Sequence, residues 1–286
     1  MNKHFILNFT PTGMIPTKDM TPHVPVRAEE VVAQVLEVVP LGVNMVHLHA
    51  RDEDTGQPTY RKEVYARMIE PIRRAHPELV ICVSLSGRNF TEFEKRAEAL
   101  QLEGDLKPDF GSLTLSSLNF NRMASVNSPQ MIQDLAQAML DRGIRPELEA
   151  FDLGMINYAH YLIRKRLMRP PYYFNLILGN IACAQANMLS LGLMVAELPG
   201  ESIWSVGGVG DAQLKMNAMA LVNGGGVRVG LEDNIWFDPQ RTKLATNRAM
   251  IERIGHIAEA LGREPYSLSE ARKLLMGDGG ARGPMT

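Results

Sequence analysis

Along this chain, short runs of β-branched and apolar residues alternate with longer stretches in which apolar positions recur every three or four residues. The short runs fall at residues 5–10, 43–49, 79–84, 110–115, 147–151, 172–178, 203–206 and 227–230. Each has the length of a strand, and the segments between them carry helical periodicity. Over 28–41, Val31, Val32, Val35, Leu36 and Val39 form one stripe, with Glu29, Glu30, Gln34 and Glu37 opposite. Ser128-Pro129 reads as a capping residue followed by a proline in the first helical turn, and Gly143 as the stop. A last helix is expected over 240–261. Beyond it lies a C-terminal tail, 265–286, that contains Gly279-Gly280-Ala281-Arg282-Gly283-Pro284.

Eight strands alternating with helices predict an α/β fold, a closed (β/α)8 TIM barrel forming one domain over 1–286, with a doubly wound open sheet as the competing arrangement. The length of 286 residues suits a barrel, a fold that takes ~250 residues. Charge narrows the partners. Thirty basic and thirty-two acidic residues give a formal charge of −2 with no block of one sign, so neither nucleic acid nor an anionic membrane surface is an expected partner. The longest apolar stretch, 175–198, is interrupted by Asn180, Gln185, Asn187 and Glu197, which argues against a membrane span. Cys82 and Cys183 make no disulfide framework, and the first residues do not read as a signal peptide; a cytoplasmic protein is expected.

The candidate chemistry sits at strand ends. In Val46-His47-Leu48-His49-Ala50-Arg51-Asp52, alternate residues face one side, so His47 and His49 project together. Two such imidazoles can ligate one divalent ion, zinc by ligand type, although an isolated pair is more often a pair of hydrogen-bonded core histidines. The eighth strand tips the balance. Val227-Arg228-Val229-Gly230-Leu231-Glu232-Asp233-Asn234 carries charge at its carboxyl end, where barrel enzymes keep their active sites. In a closed barrel, strands two and eight both flank strand one, so Glu232 can approach the histidines. A His47, His49 and Glu232 set leaves one metal position open for substrate or water.

Other polar residues recur at the same level. Ser84-Leu85-Ser86-Gly87-Arg88 follows strand three, Ser112 and Thr114 lie on strand four, and Glu147 and Glu149 alternate along strand five. Val206-Gly207-Gly208-Val209-Gly210 weakly suggests a phosphate-cradling loop after strand seven, which would suit coenzyme A.

Taken together the residues resemble the β-keto acid cleavage enzyme family, whose named activity is 3-keto-5-aminohexanoate cleavage. The carriers are Pro11-Thr12-Gly13-Met14-Ile15-Pro16-Thr17, the strand-two and strand-eight motifs above, Ser117-Leu118-Asn119-Phe120 and Pro146-Glu147-Leu148-Glu149-Ala150-Phe151-Asp152. The resemblance implies a tetramer with zinc on His47, His49 and Glu232. It implies a reaction that joins a β-keto acid to acetyl-CoA and yields acetoacetate and a new acyl-CoA. Asp233 would be the base and Arg228 its partner. Ser84, Ser112 and Glu149 fall where the family places polar active-site residues, and Gly87, Arg88 and Thr114 beside them are further candidates for the substrate site. The 12–16 loop offers only apolar side chains to an amino-bearing substrate. Arg88 could meet a second carboxylate on a dicarboxylic β-keto acid, a coenzyme A phosphate, or only a surface acid. Two other classes fit the same metal set: a zinc hydrolase that activates water without coenzyme A, and a non-catalytic barrel that binds a keto acid.

Overall fold

The computed structural model describes residues 2–277. Its strands β1 (Leu7–Phe9), β2 (Met45–Leu48), β3 (Val80–Val83), β4 (Phe110–Thr114), β5 (Arg145–Ala150), β6 (Tyr172–Leu178), β7 (Ser202–Gly208) and β8 (Gly226–Val229) pair in chain order, all parallel, and β8 returns to β1. The closed barrel thus replaces the open-sheet alternative. Arg228 registers with Asn8 and Asn8 with Met45, which sets strands eight, one and two side by side.

Strand alternation sorts the side chains into two cores. Val46, Leu48, Ile81, Val83, Leu113, Leu148, Val227 and Val229 face outward into an apolar layer beneath the helices. Those helices are α1 (Ala28–Val38), α2 (Lys62–Ala75), α3 (Pro129–Asp141), α4 (Leu153–Arg164), α5 (Met188–Ala196), α6 (Ala212–Val222) and α7 (Asn247–Ala260). After β3 a short helix, Phe93–Arg96, and 3-10 turns stand where a full helix would be. Ser128 caps α3 as its sequence predicts, accepting the Met131 N–H, with Pro129 in the first turn. The last predicted helix starts later than its periodicity suggests, at Asn247. Asp238 accepts the backbone N–H groups of Thr242 and Lys243, which gives that stretch turn bonds in place of helical ones.

Inside the barrel, Ile6, Met45, Val80, Phe110 and Tyr173 form an apolar floor at the amino ends of the strands. The segment from 265, expected as a tail, contains the structure that closes this floor. Glu264–Pro265 pairs in parallel with His4–Phe5, and α8 (Leu268–Met276) opens with a Ser267/Glu270 capping box. Its Ala271 and Leu275 pack on the floor. Arg272 anchors it through two hydrogen bonds to Asp109 at 2.7 and 2.9 Å, and Arg73 reaches the other Asp109 oxygen at 2.9 Å. Breaking a buried network of this kind typically costs about 3–5 kcal/mol. The glycine-rich stretch 279–284 lies outside the described residues.

Candidate active site at the carboxyl end of the barrel

The interior turns polar along the barrel axis. Above the apolar floor lie Asn8, His47, Glu147 and Asn175, all buried, and above these His49, Thr114, Glu149 and Arg228 approach the mouth. The backbone after β8 delivers two further carboxylates. Gly230, at φ 158, runs so close to β1 that a Cβ there would stand 2.1 Å from the Thr10 carbonyl oxygen. Only glycine allows this approach. The chain then turns, Glu232 N–H donates to Thr10 O, and the Glu232 and Asp233 side chains enter the mouth.

His47 is oriented from below. Its Nδ1 lies 2.5 Å from Glu147 Oε2, which also accepts the Cys82 thiol at 3.2 Å. Glu147 Oε1 accepts the amides of Asn8 and Asn175 at 2.8 and 2.7 Å. Glu147 is therefore fully bonded and fixes the imidazole so that Nε2 points up. That nitrogen faces His49 Nε2 at 3.2 Å, and His49 Nε2 lies 3.1 Å from Glu232 Oε1. Glu232 Oε2 is buried with no protein partner among the described residues.

Two groups of potential ligand atoms share His47: His47, His49 and Glu232 above, and His47, Cys82 and Glu147 below. The lower set is poorly suited to a cation. Burial and the adjacent Glu147 hold the Cys82 thiol protonated, and the Glu147 oxygens are already occupied. The upper set combines two imidazole nitrogens turned toward one point with an unsatisfied carboxylate oxygen. Those donors could hold a divalent metal.

Arg228 ties the mouth together. Its Nη2 donates to Glu232 at 2.7 Å, Nε to Asp233 at 3.0 Å and Nη1 to Glu149 at 3.4 Å; Thr114 donates to the other Glu149 oxygen at 2.7 Å. These contacts set the protonation pattern. Burial works against the charge on Glu232, yet Arg228 and the two imidazoles hold its carboxyl well below the ordinary range. Burial pushes Asp233 up to about 6, against Arg228 and with Glu232 adding to the rise. Burial also raises Glu149. His47 is raised to about 9, because Glu147 and Glu232 outweigh its burial, whereas burial lowers His49.

The candidates named from the sequence thus fall into three positions. His47, His49, Glu232, Asp233, Arg228, Glu149 and Thr114 form one bonded cluster. Ser84 and Arg88 stand at its rim: Ser84 lines a cleft with His49, Met14, Tyr60 and Ser86, and the Arg88 guanidinium lies 3.7 Å above the Phe120 ring. Ser112 and Gly87 sit one layer back. Ser112 Oγ accepts the Leu85 N–H, and Gly87 packs on the hairpin of Leu118–Asn119 with Ala124–Ser125, its Cβ position 2.4 Å from Val126 O. The glycine loop after β7 is explained by packing. A Cβ on Gly208 would strike the backbone of Ala212 at 2.6 Å, and the Val209 and Gly210 N–H groups donate inward to Leu178 and Asp233 carbonyls. Those two amides are not available to cradle a phosphate.

Three supporting roles are not legible from residue type: those of Glu147, Arg51 and Gly13. Buried Arg51 donates to the carbonyls of Gly13, Pro16 and Gly56, which clamps the 11–17 loop over the mouth. Gly13, at φ 65, rests against Glu232; a Cβ there would lie 2.4 Å from Glu232 Cγ. Gly13→Ala is expected to displace that carboxylate and weaken metal binding by roughly 10-fold or more. Metal competition against a chelator measures this, and unchanged affinity would remove the loop from the site's support.

A closed parallel barrel with imidazoles and carboxylates gathered at the carboxyl ends of its strands is an enzyme scaffold of the (β/α)8 class. The profile of the β-keto acid cleavage enzyme family matches residues 4–276, and the chain belongs to that family. It is 34% identical over 277 residues to the 3-keto-5-aminohexanoate cleavage enzyme of Fusobacterium nucleatum, covering 96% of this chain and 98% of that one. It is 31% identical to the 3-oxoadipate:acetyl-CoA acetyltransferase of Cupriavidus necator, covering 96% and 95%. Among solved structures, the binary complex of ObcA with oxaloacetate matches with a TM-score of 0.74 at 19% identity, over 89% of this chain and 67% of that one, a likeness of fold.

Proposed function

We propose that this chain is a zinc-dependent enzyme that joins a β-keto acid to acetyl-CoA and yields acetoacetate and a new acyl-CoA. The observation that carries the reading is the convergence of His47, His49 and the half-bonded Glu232 beside an Arg228-held Asp233. The names of the relatives, a β-keto acid cleavage enzyme and an acetyl-CoA acetyltransferase, support it. Held by those three ligands, zinc would supply Lewis-acid polarisation of the keto acid's oxygens.

The remaining work falls to the chain's own groups. Asp233 engages Arg228 through Oδ2, and its Oδ1 accepts no hydrogen bond among the described residues. In this reading that oxygen takes the carbon-bound proton between the keto and carboxylate groups. Arg228 keeps the carboxylate charged and aimed. Thr114 fixes Glu149, which shares the Arg228 guanidinium and keeps it from turning away. Ser84, at the rim beside His49, would meet a substrate oxygen.

The same reading makes the protein a cytoplasmic homotetramer of single-domain subunits. The exposed apolar side chains Met188, Leu189 and Leu193 on α5, with Ile181 just before it, support self-association; its mass in solution is the check. The function itself is tested by incubating metal-analysed protein with acetyl-CoA and a panel of β-keto acids. Coupled appearance of acetoacetate and a new acyl-CoA is the expected result. Turnover of a β-keto acid without any need for acetyl-CoA would point to a hydrolase and overturn the proposal.

A further inference from the structure

The arginines around the mouth differ in what they touch. Arg228 bonds three carboxylates, Arg51 bonds three carbonyls, and Arg96 bonds the carbonyls of Leu85 and Val126 and the side chain of Asn127. Arg88 stands apart. Among the described residues its side chain makes no hydrogen bond and no ion pair, and its Nε is buried without an acceptor. Glu232, Glu149 and Asp233 lie close enough for their charge to bear on it, yet each is engaged by Arg228 instead.

Its position is nevertheless fixed. The guanidinium lies 3.7 Å from the centroid of Phe120, which meets Phe151 edge-on at 5.9 Å. The preceding Gly87 is wedged against the hairpin at Val126. A stacked guanidinium held this way presents its remaining donors in a planar fork, the geometry that grips an oxyanion by two parallel bonds. Arg88 lies between Ser86 and Phe90, both of which line the cleft beside His49. The loop residue in that cleft is Met14, which offers nothing to an ammonium group. The rim therefore carries the Arg88 cation, and the cleft beside it combines Met14 and Phe90 with Lys95 and the hydroxyl side chains of Thr59, Ser84 and Ser86, and no carboxylate that would favour an ammonium group.

We propose that Arg88 binds the far carboxylate of a dicarboxylic β-keto acid and so selects that class of substrate. The inference rests on the β-keto acid reading of the site. A coenzyme A phosphate shares the same oxyanion chemistry, and the test separates the two sources.

The probes are 3-oxoadipate and 3-oxohexanoate, equal in carbon number and differing in the second carboxylate. For wild type, Arg88→Met and Arg88→Lys, the ratio of kcat/KM for the two acids is measured with acetyl-CoA. The ratio of their Kd values is measured by calorimetry without it. Wild type is expected to favour the dicarboxylate by about 10- to 100-fold in both ratios, the weight of a charge-assisted pair. Arg88→Met should bring both ratios to about unity, and Arg88→Lys should restore part of the preference. Ratios that stand unchanged in Arg88→Met overturn the proposal. So does an effect confined to the KM for acetyl-CoA, which would assign Arg88 to a phosphate. If wild type turns over neither acid, the cleavage reading is decided by the wider panel, and the calorimetric ratio still decides here: a preference abolished by Arg88→Met upholds the carboxylate site, and no preference removes it.

Discussion

With Asp233 as the proposed base, Asp233→Asn is expected to lower kcat by about 100- to 10,000-fold, the range that general base catalysis contributes, and to leave zinc content unchanged. Asparagine keeps the shape of the side chain and one oxygen to accept the Arg228 Nε–H, which now lies 3.0 Å from Oδ2. It cannot take a proton from carbon. Asp233 is also outside the set of His47, His49 and Glu232, so its loss leaves all three ligand atoms in place. Acetoacetate formation and zinc content, read on the same preparation, separate the two effects. If zinc disappears together with turnover, Asp233 holds the site together and the base must be sought elsewhere.

Glu147→Gln has its effect deeper in the barrel and on two quantities at once. Glu147 is completely buried and bonds His47, Cys82, Asn8 and Asn175. The amide can still accept from Asn8 and Asn175, but it then turns its NH2 toward the His47 Nδ1 and the Cys82 thiol, where a carboxylate oxygen is needed. His47 loses the acceptor that directs Nε2 upward. Metal affinity is expected to fall by roughly 10- to 100-fold, as for other partners of metal-bound histidines. In metal-free protein the loss of a buried charged partner should cost about 3–5 kcal/mol of stability. Denaturant titration of the apo form and chelator competition on the holo form measure the two parts. A variant that matched wild type in both would falsify the orienting role.

Much of this arrangement is legible in the order of residues alone, for reasons that particular positions show. His47 and His49 are two apart on a strand, so a shared face follows from the pleat. Glu232 joins them because a closed barrel seats β8 and β2 on either side of β1, and eight strands alternating with helices favour closure over the open sheet that the structure excludes. Glu147 shows where that logic ends. Alternation places Glu147 and Glu149 on one face, but two residues of strand separate them by about 6.6 Å along the barrel. One is the sealed base of the histidine and the other sits at the mouth with Arg228, a distinction of depth that no periodicity encodes. Arg51 and Gly13 act through backbone carbonyls and a steric contact with Glu232, neither of which leaves a residue-type signature. The helix Leu268–Met276 is hidden in the sequence by its brevity. Its stripe onto the floor is little more than Ala271 and Leu275, set among charged residues that read as solvent-facing.

That helix also bears on the order in which the barrel can be completed. Residues 268–276 follow all eight strands in the chain, so a barrel closed without them would present Met45, Phe110 and Tyr173 at an uncovered lower opening. The two-residue pairing of His4–Phe5 with Glu264–Pro265 must wait for the same late segment. The floor is thus completed only by a segment that follows the last strand, and a barrel lacking it exposes apolar surface of the kind that promotes aggregation.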